Sequence, residues 1–405
     1  MRLAGRFAAL QSRDFRLFWF GQFVSLSGTW MQSVAQGWLV YSLTKSPFYL
    51  GLVAAAGALP ILLFSLAGGI AADRFSKKNV LLLTQAFSII PAFLLGLLTD
   101  FRLIAVWHVA MLAAFLGTVN AFDIPARQSF LVDLAGKGSL LSAIALNSAA
   151  FHGSRMIGPV IAGVTIAYVG LPACFYINAL SFLAVILALS RIEIRGNSDN
   201  NSRGLVKDLT EGVSFMKNNP EIRRIIILIG SFSLLGMPFV TLLPVFAAEV
   251  LKSGPQGFGF LVGATGIGAL TAALLLAFKG SLADKNRFMF ISVLCFSTCL
   301  FIFSLSEIFS LSVVALAIVG WGLVSFLATA NSFVQLSVPD GLRGRAMSVY
   351  TFVFLGTAPL GNTLAGFLAK YIGTPATVSI SSVICLTISV FFFRKEFNFL
   401  LLKNT

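Results

Sequence analysis

The sequence is short of charge, and of acid most of all. Only 11% of its 405 residues are charged, and 15 acidic side chains stand against 29 lysines and arginines. Soluble domains carry about 25% charged and about 45–50% apolar residues. Here 57% are hydrophobic and the mean hydropathy is +0.91, more apolar side chain than a water-soluble fold can hide. Lipid is therefore the solvent. Cysteine is scarce too: Cys174, Cys295, Cys299 and Cys385 all sit in apolar runs and give no sign of a disulfide framework. Cys295 and Cys299 lie one helical turn apart, but no His or Cys nearby completes a ligand set. They read as small core residues, and neither a metal nor a cofactor is expected. No glycine loop ending in Lys-Ser/Thr is present, which leaves ATP hydrolysis unsupported. Zincin and nucleophile-elbow patterns are missing, and Ser154 has no base at readable spacing, so an enzyme is not expected.

What is abundant is long apolar sequence, with 40 Phe and 36 Gly. A spanning helix needs about 20 largely apolar residues. Runs of that length lie near 16–42, 48–72, 79–99, 103–122, 142–168 and 171–190, then near 222–249, 257–278, 288–305, 309–332, 345–369 and 374–393. The expected fold is all-α: twelve transmembrane helices in two pseudo-symmetric six-helix bundles. The domains are 1–190, a cytoplasmic linker 191–220, and 221–405. The basic start (Arg2, Arg6, Arg13, Arg16) runs into a stretch too long for a cleavable signal, so the first helix is expected to be retained.

The cations test this count. If the N-terminal segment is cytoplasmic, 24 of the 29 Lys and Arg fall on the cytoplasmic side. Four (Lys45, Arg102, Lys252, Lys370) fall on the other, and Arg155 lies within a span. That asymmetry places both termini in the cytoplasm of a cell inner membrane. The formal charge of +14 then reflects topology and anionic lipid, and nucleic acid is not an expected partner. In the linker, Gly196–Gly204 reads as flexible. Leu205, Leu209, Val213 and Met216 mark a short amphipathic helix on the membrane face. The sequon at Asn200 is cytoplasmic and is not expected to be glycosylated.

The halves repeat. Gly69-Ile-Ala-Ala-Asp73 returns as Gly280-Ser-Leu-Ala-Asp284, and Asn120-Ala-Phe122 as Asn331-Ser-Phe333. Pro47 and Gly51 are matched by Pro255 and Gly259, and Gly158 and Gly163 by Gly361 and Gly366. Four matches in order, on equivalent helices, suit a parallel repeat whose halves rock about a central site.

Three sets of residues bear a resemblance. Gly69-Ile-Ala-Ala-Asp73-Arg74-Phe-Ser-Lys77-Lys78 resembles the 2–3 loop signature of the major facilitator superfamily, with Ala71 and Ser76 as departures. Asp284, Lys285 and Arg287 resemble its weaker copy. Gly153-Ser-Arg155-Met-Ile-Gly158-Pro159-Val-Ile-Ala-Gly163 resembles that superfamily's antiporter signature, Ala162 replacing one Gly. Ser12–Trp19, Gly28–Gln32, Pro125–Gln128, Glu211-Gly212 and Pro339–Arg345 look like the bacterial transmembrane secretion effector branch, which includes enterobactin-exporter-like proteins. The resemblance implies a conformational latch at Gly69, Asp73, Arg74, Lys77, Asp284, Arg343 and Arg345. It also implies an exporter's helix packing at Gly158, Pro159 and Gly163. Many relatives carry an acid where this chain has Thr29.

Polar side chains within lipid are costly and default to function or interhelical bonding. Gln22, Ser25, Thr29, Gln32 and Gln36 recur at 3,4,3,4 spacing and form one stripe. It either faces a water-filled cavity, the reading favoured here, or bonds neighbouring helices. Ser148, His152, Arg155 and Pro159 share a face of the fifth span, with Asn147 beside it. Asn120, Asn331 and Asn362 join the candidate substrate-cavity residues. No carboxylate sits clearly at mid-membrane, so His152, with an unperturbed pKa near 6.5, is the first candidate coupling residue. Asp123 is the second, or else a partner of Arg127 or Arg155. The expected function is secondary active transport by alternating access, coupled to protons or another ion. The cargo is an amphipathic or hydrophobic small molecule, drug- or siderophore-like, moved outward by a monomer. Lysophospholipid or lipid flipping is the alternative within the fold, and a non-transporting receptor or scaffold the alternative outside it.

Overall fold

The structure is a computed structural model that describes residues 8–193, 219–279 and 284–393. The amphipathic stretch 205–217, Asn200 and Glu211-Gly212 lie outside the described residues. Every described element is helical. In chain order these are α1 (Arg13–Thr44), α2 (Pro47–Arg74), α3 (Lys77–Asp100), α4 (Val106–Gly136), α5 (137–168) and α6 (Leu171–Ser190). Then follow α7 (Pro220–Val250), α8 (Gly254–Lys279), α9 (Lys285–Leu305), α10 (Phe309–Ser337), α11 (Asp340–Ile372) and α12 (Thr374–Phe392). Ten of these twelve are long and apolar enough to cross a membrane. The other two, α1 and α5, carry the polar stripes, which lower their hydropathy without shortening them.

Local chemistry starts and stops the helices. Ser12, Asn219 and Asp284 cap α1, α7 and α9, each side-chain oxygen accepting a backbone N–H three residues on. Between α4 and α5 the path turns at Gly136, whose φ of 63° suits glycine alone. Hydropathy closes the fourth span near 122, yet α4 runs on to 136, so Asp123 and Arg127 are helical rather than at a loop edge. Their charges end the apolar run without ending the helix, because they pair with each other. Within α7, Phe232–Gly236 and Phe246–Val250 widen into single π turns, closed by Met237 N–H to Phe232 O and Leu251 N–H to Phe246 O, both 2.8 Å. Such bulges are frequent at functional sites.

The chain packs as two units. The first comprises α1, α2 from Ala56, α3 to α6, and the opening stretch Gly254–Gly263 of α8. At its core Phe15, Phe18, Leu81, Phe130, Val185 and Leu189 are buried, with Phe18 edge-on to Phe130 at 5.4 Å. A Cβ on Gly117 would overlap Gly57 O, so α2 and α4 touch backbone to backbone. The second unit comprises Ser46–Ala55, α7, α8 from Ala264, and α9 to α12. Phe232 packs on Phe296 and Phe326 at 5.1 and 5.0 Å, and Phe246 on Phe303 at 4.5 Å. There α8 and α10, the repeat mates of α2 and α4, meet in the same way at Gly320 and Thr265 O. Lipid tails are as apolar as leucine, so close packing, not transfer out of water, holds these helices together.

Candidate functional site

The polar stripe of α1 divides by depth. Gln22, Ser25 and Gln32 are buried, while Thr29 and Gln36 are partly exposed. The buried three bond to other helices of their unit. Gln22 Oε1 accepts from Arg127 Nη1 at 3.3 Å, and Ser25 Oγ donates to Gln85 Oε1 at 3.5 Å. Gln32 Oε1 accepts from Asn178 Nδ2 at 2.7 Å, and Asn178 Oδ1 in turn accepts from Ser181 Oγ at 3.0 Å. Thr29 bonds its own helix, through Ser25 O at 2.9 Å.

The hub of this network is Asp123, the one carboxylate buried among the described residues. Its Oδ1 accepts from Thr84 Oγ1 at 2.9 Å and Gln85 Nε2 at 2.8 Å, and its Oδ2 lies 3.4 Å from Arg127 Nε. One carboxylate thereby ties α3 to α4, and Arg127 carries the tie on to α1. Thr84, Gln85, Asn178 and Ser181 escape a sequence reading, although each is a polar residue alone or paired in a long apolar run. That interruption was the available signal.

On α5, Arg155 places its guanidinium carbon 5.3 Å from the Trp30 ring of α1. Phe151 stands edge-on to Trp30 at 5.8 Å and to His152 at 5.4 Å. Nδ1 of His152 is buried with no hydrogen-bond partner among the described residues. A cation over an indole face is held by the ring quadrupole. Ser154 fixes the register: it accepts from Ser27 Oγ at 3.1 Å and donates to Phe23 O at 3.1 Å. Gly158 permits the approach, because a Cβ there would overlap Ser27 O and Trp30 Cβ. One turn on, Gly163 lies against Pro255 O and Gln256 O, and Gly259 against Pro159 O and Gly163 Cα. Asn120 and Asn147 are partly buried within the same unit.

In the second unit, Asn362 Oδ1 accepts from Thr241 Oγ1 at 3.0 Å, and Asn331 Oδ1 from Gln335 Nε2 at 2.6 Å. Gly51 lies against Asn362 O and Gly366 Cα. The latch residues are spread out. Asp73 and Arg74 are exposed at the end of α2, and a Cβ on Gly69 would meet nothing within 4 Å. Lys77 pairs with Asp133 at 2.8 Å, a partner the sequence did not single out. Asp284 caps α9, Arg343 Nε donates to Gln335 O at 3.0 Å, and Arg345 is partly buried. No three His, Cys, Asp or Glu among the described residues gather as a metal set.

Comparison with known proteins agrees with this architecture. The profile of the family described as "Transmembrane secretion effector" matches residues 4–399. The chain is 28% identical over 389 residues to the staphyloferrin A transporter of Staphylococcus aureus, covering 94% of this chain and 96% of that protein. It is 28% identical to the multidrug efflux pump Tap of Mycolicibacterium fortuitum, covering 87% and 88%. To the enterobactin exporter EntS of Shigella flexneri it is 25% identical, covering 93% and 90%. Among solved structures, a bacterial homologue of the lysosomal transporter Spinster superposes with a TM-score of 0.74 at 12% identity, covering 99% and 98%. The nucleoside transporter NupG does so at 0.72 and 15%, covering 94% and 98%. These likenesses show the major facilitator fold. With its twelve helices and almost full-length family match, the chain belongs to the transmembrane secretion effector family of the major facilitator superfamily, a multi-pass membrane transporter.

Proposed function

We propose that the protein is an ion-gradient-coupled exporter in the cell inner membrane, with both termini cytoplasmic, that moves an amphipathic small molecule bearing an acidic or hydroxyl group. The observation that carries the reading is Arg155 over Trp30, with Phe151 edge-on and an unpartnered His152 nitrogen beside it. A guanidinium in lipid is expensive unless it serves a purpose. Backed by the Trp30 ring, it recognises an anionic or hydroxylated group on an otherwise apolar cargo, and His152 offers a second hydrogen bond. Thr29, Gln36, Asn120 and Asn147 line the substrate path in the first unit, with Gln22, Ser25 and Gln32 as its buried backing. Asn331 and Asn362 serve in the second. The names of the relatives supply the first cargoes to try: staphyloferrin A, enterobactin, and hydrophobic drugs.

Alternating access then needs helix contacts that hold firmly and part cleanly. The glycine contacts meet that need: Gly163 on Gly259 and Gly51 on Gly366 are backbone meetings with no side chains to unlock. They pair the repeat-matched positions crosswise, one contact within each unit, so the signature around Gly158, Pro159 and Gly163 has a counterpart in the second unit. Gly69, Asp73, Arg74, Lys77, Asp284, Arg343 and Arg345 form the latch on the cytoplasmic side. His152 is the candidate proton carrier, with Asp123 behind it.

The test is a ligand screen of the purified protein by thermal shift. An acidic siderophore or amphipathic acid is expected to raise the unfolding temperature, and Arg155→Ala to remove that shift, with Arg155→Lys restoring part of it. If neutral apolar compounds shift the variant and wild type alike, the assignment of Arg155 fails.

A further inference from the structure

Between α1, α5 and α6 the first unit holds an apolar cleft of about 460 Å³ that the substrate reading does not use. Two glycine contacts shape it. A Cβ on Gly28 would overlap Ser181 Oγ, pinning α1 to α6, and Gly158 pins α1 to α5. The cleft is walled by Phe23, Met31, Ile157 and Ile161 among others. At its rim Val24, Ile161, Ile177 and Leu180 are 44–64% exposed.

We infer that this cleft is a binding site for one acyl chain of a resident membrane phospholipid. Three observations select that occupant. The walls lie in the middle of their helices (23–31 of α1, 157–161 of α5, 177–181 of α6), at the depth of the hydrocarbon. The hydroxyls in the walls are already satisfied inside the protein: Ser27 Oγ donates to Phe23 O at 2.7 Å and Ser181 Oγ to Asn178 O at 2.8 Å. A ligand there meets no polar demand, so hydrocarbon fits and a polar cargo does not. The cleft is also too small for a helix of a second copy. One turn of helix with side chains, about 10–12 Å across and 5.4 Å long, fills roughly 400–600 Å³. A crossing helix presents several turns, whereas a flexible chain can fill the space and restore the contacts that a void forfeits.

The site is tested by native mass spectrometry of protein extracted from membranes in mild detergent. Wild type is expected to retain one phospholipid per chain. Ile161→Trp with Leu180→Trp, which fills the cleft, loses it, while Leu183→Trp on the same helix but outside the cleft keeps it. Adding phosphatidylglycerol to delipidated protein is expected to raise the unfolding temperature of wild type and Leu183→Trp, not of the filled variant. Should the filled variant fail to fold, bromine-labelled acyl chains are expected to quench Ile177→Trp even after excess unlabelled detergent is added. Equal lipid retention in all variants, no retained lipid in wild type, or a wild-type dimer that the filled variant loses would each overturn the assignment. None of these readouts requires a transported cargo, so the result stands apart from the transport reading.

Discussion

Asp123 is 4% exposed, and three donors from two helices converge on it. Removing one member of a buried ion pair leaves the other uncompensated and costs about 3–5 kcal/mol, toward the lower end here because Arg127 keeps 22% of its side chain exposed. Asp123→Asn is therefore expected to destabilise the purified protein by about 3 kcal/mol in a denaturant titration. Asp123→Asn with Arg127→Gln should recover most of that loss. A double variant no better than the single one would mean that the two charges do not depend on each other. Residues of this kind are where sequence reading stopped short. It could see that one face of α1 is polar, because spacing fixes which side chains share a face. It could not see toward which neighbour that face turns, and the partners Thr84, Gln85 and Asn178 stand in other runs with no periodic signal of their own.

At the scale of the element, small residues decide how closely helices pack. Gly158→Ala would drive a Cβ into Ser27 O and Trp30, so a lower melting temperature and lost transport are expected; Gly69→Ala, with open space around it, should leave stability unchanged. If both variants melt alike, close approach is not what Gly158 provides. Two turns show the opposite case. Lys45 and Lys252 follow α1 and α7, repeat-equivalent helices, and both adopt φ of 48°. That conformation costs an L-residue roughly 1–2 kcal/mol, of which a cation at a helix C-terminus returns about 0.3–1 kcal/mol. Lys45→Gly and Lys252→Gly should each stabilise the protein by up to about 1 kcal/mol in thermal melts, and a destabilised glycine variant would assign the lysine side chain a structural bond. The helices themselves were plain in the sequence, since nothing but a span explains 20 apolar residues in a row. Ends were harder. Paired charges such as Asp123 and Arg127 close an apolar run while the backbone hydrogen bonds continue beneath them.

For the whole molecule, the repeat is the organising fact. Matches at Pro47/Gly51 with Pro255/Gly259, and at Gly158/Gly163 with Gly361/Gly366, were legible as letters. Only the structure shows that they meet crosswise, Gly51 on Gly366 and Gly259 on Gly163. A symmetric pair of contacts should be equally sensitive: Gly51→Val and Gly259→Val are expected to reduce transport to a similar extent, without abolishing the thermal shift given by ligand. A large difference between them would show that one contact alone governs closure. The transport reading proposed above rests on that symmetry, because matched halves can rock about a shared interior.

That claim is tested most directly in inside-out membrane vesicles carrying the protein, by measuring accumulation of staphyloferrin A, enterobactin and labelled drugs under an imposed pH gradient. The account predicts uphill uptake of at least one acidic cargo that collapses when a protonophore is added and is lost in Arg155→Ala. Uptake no greater than in empty vesicles for every compound, or uptake indifferent to both the gradient and Arg155, would contradict it.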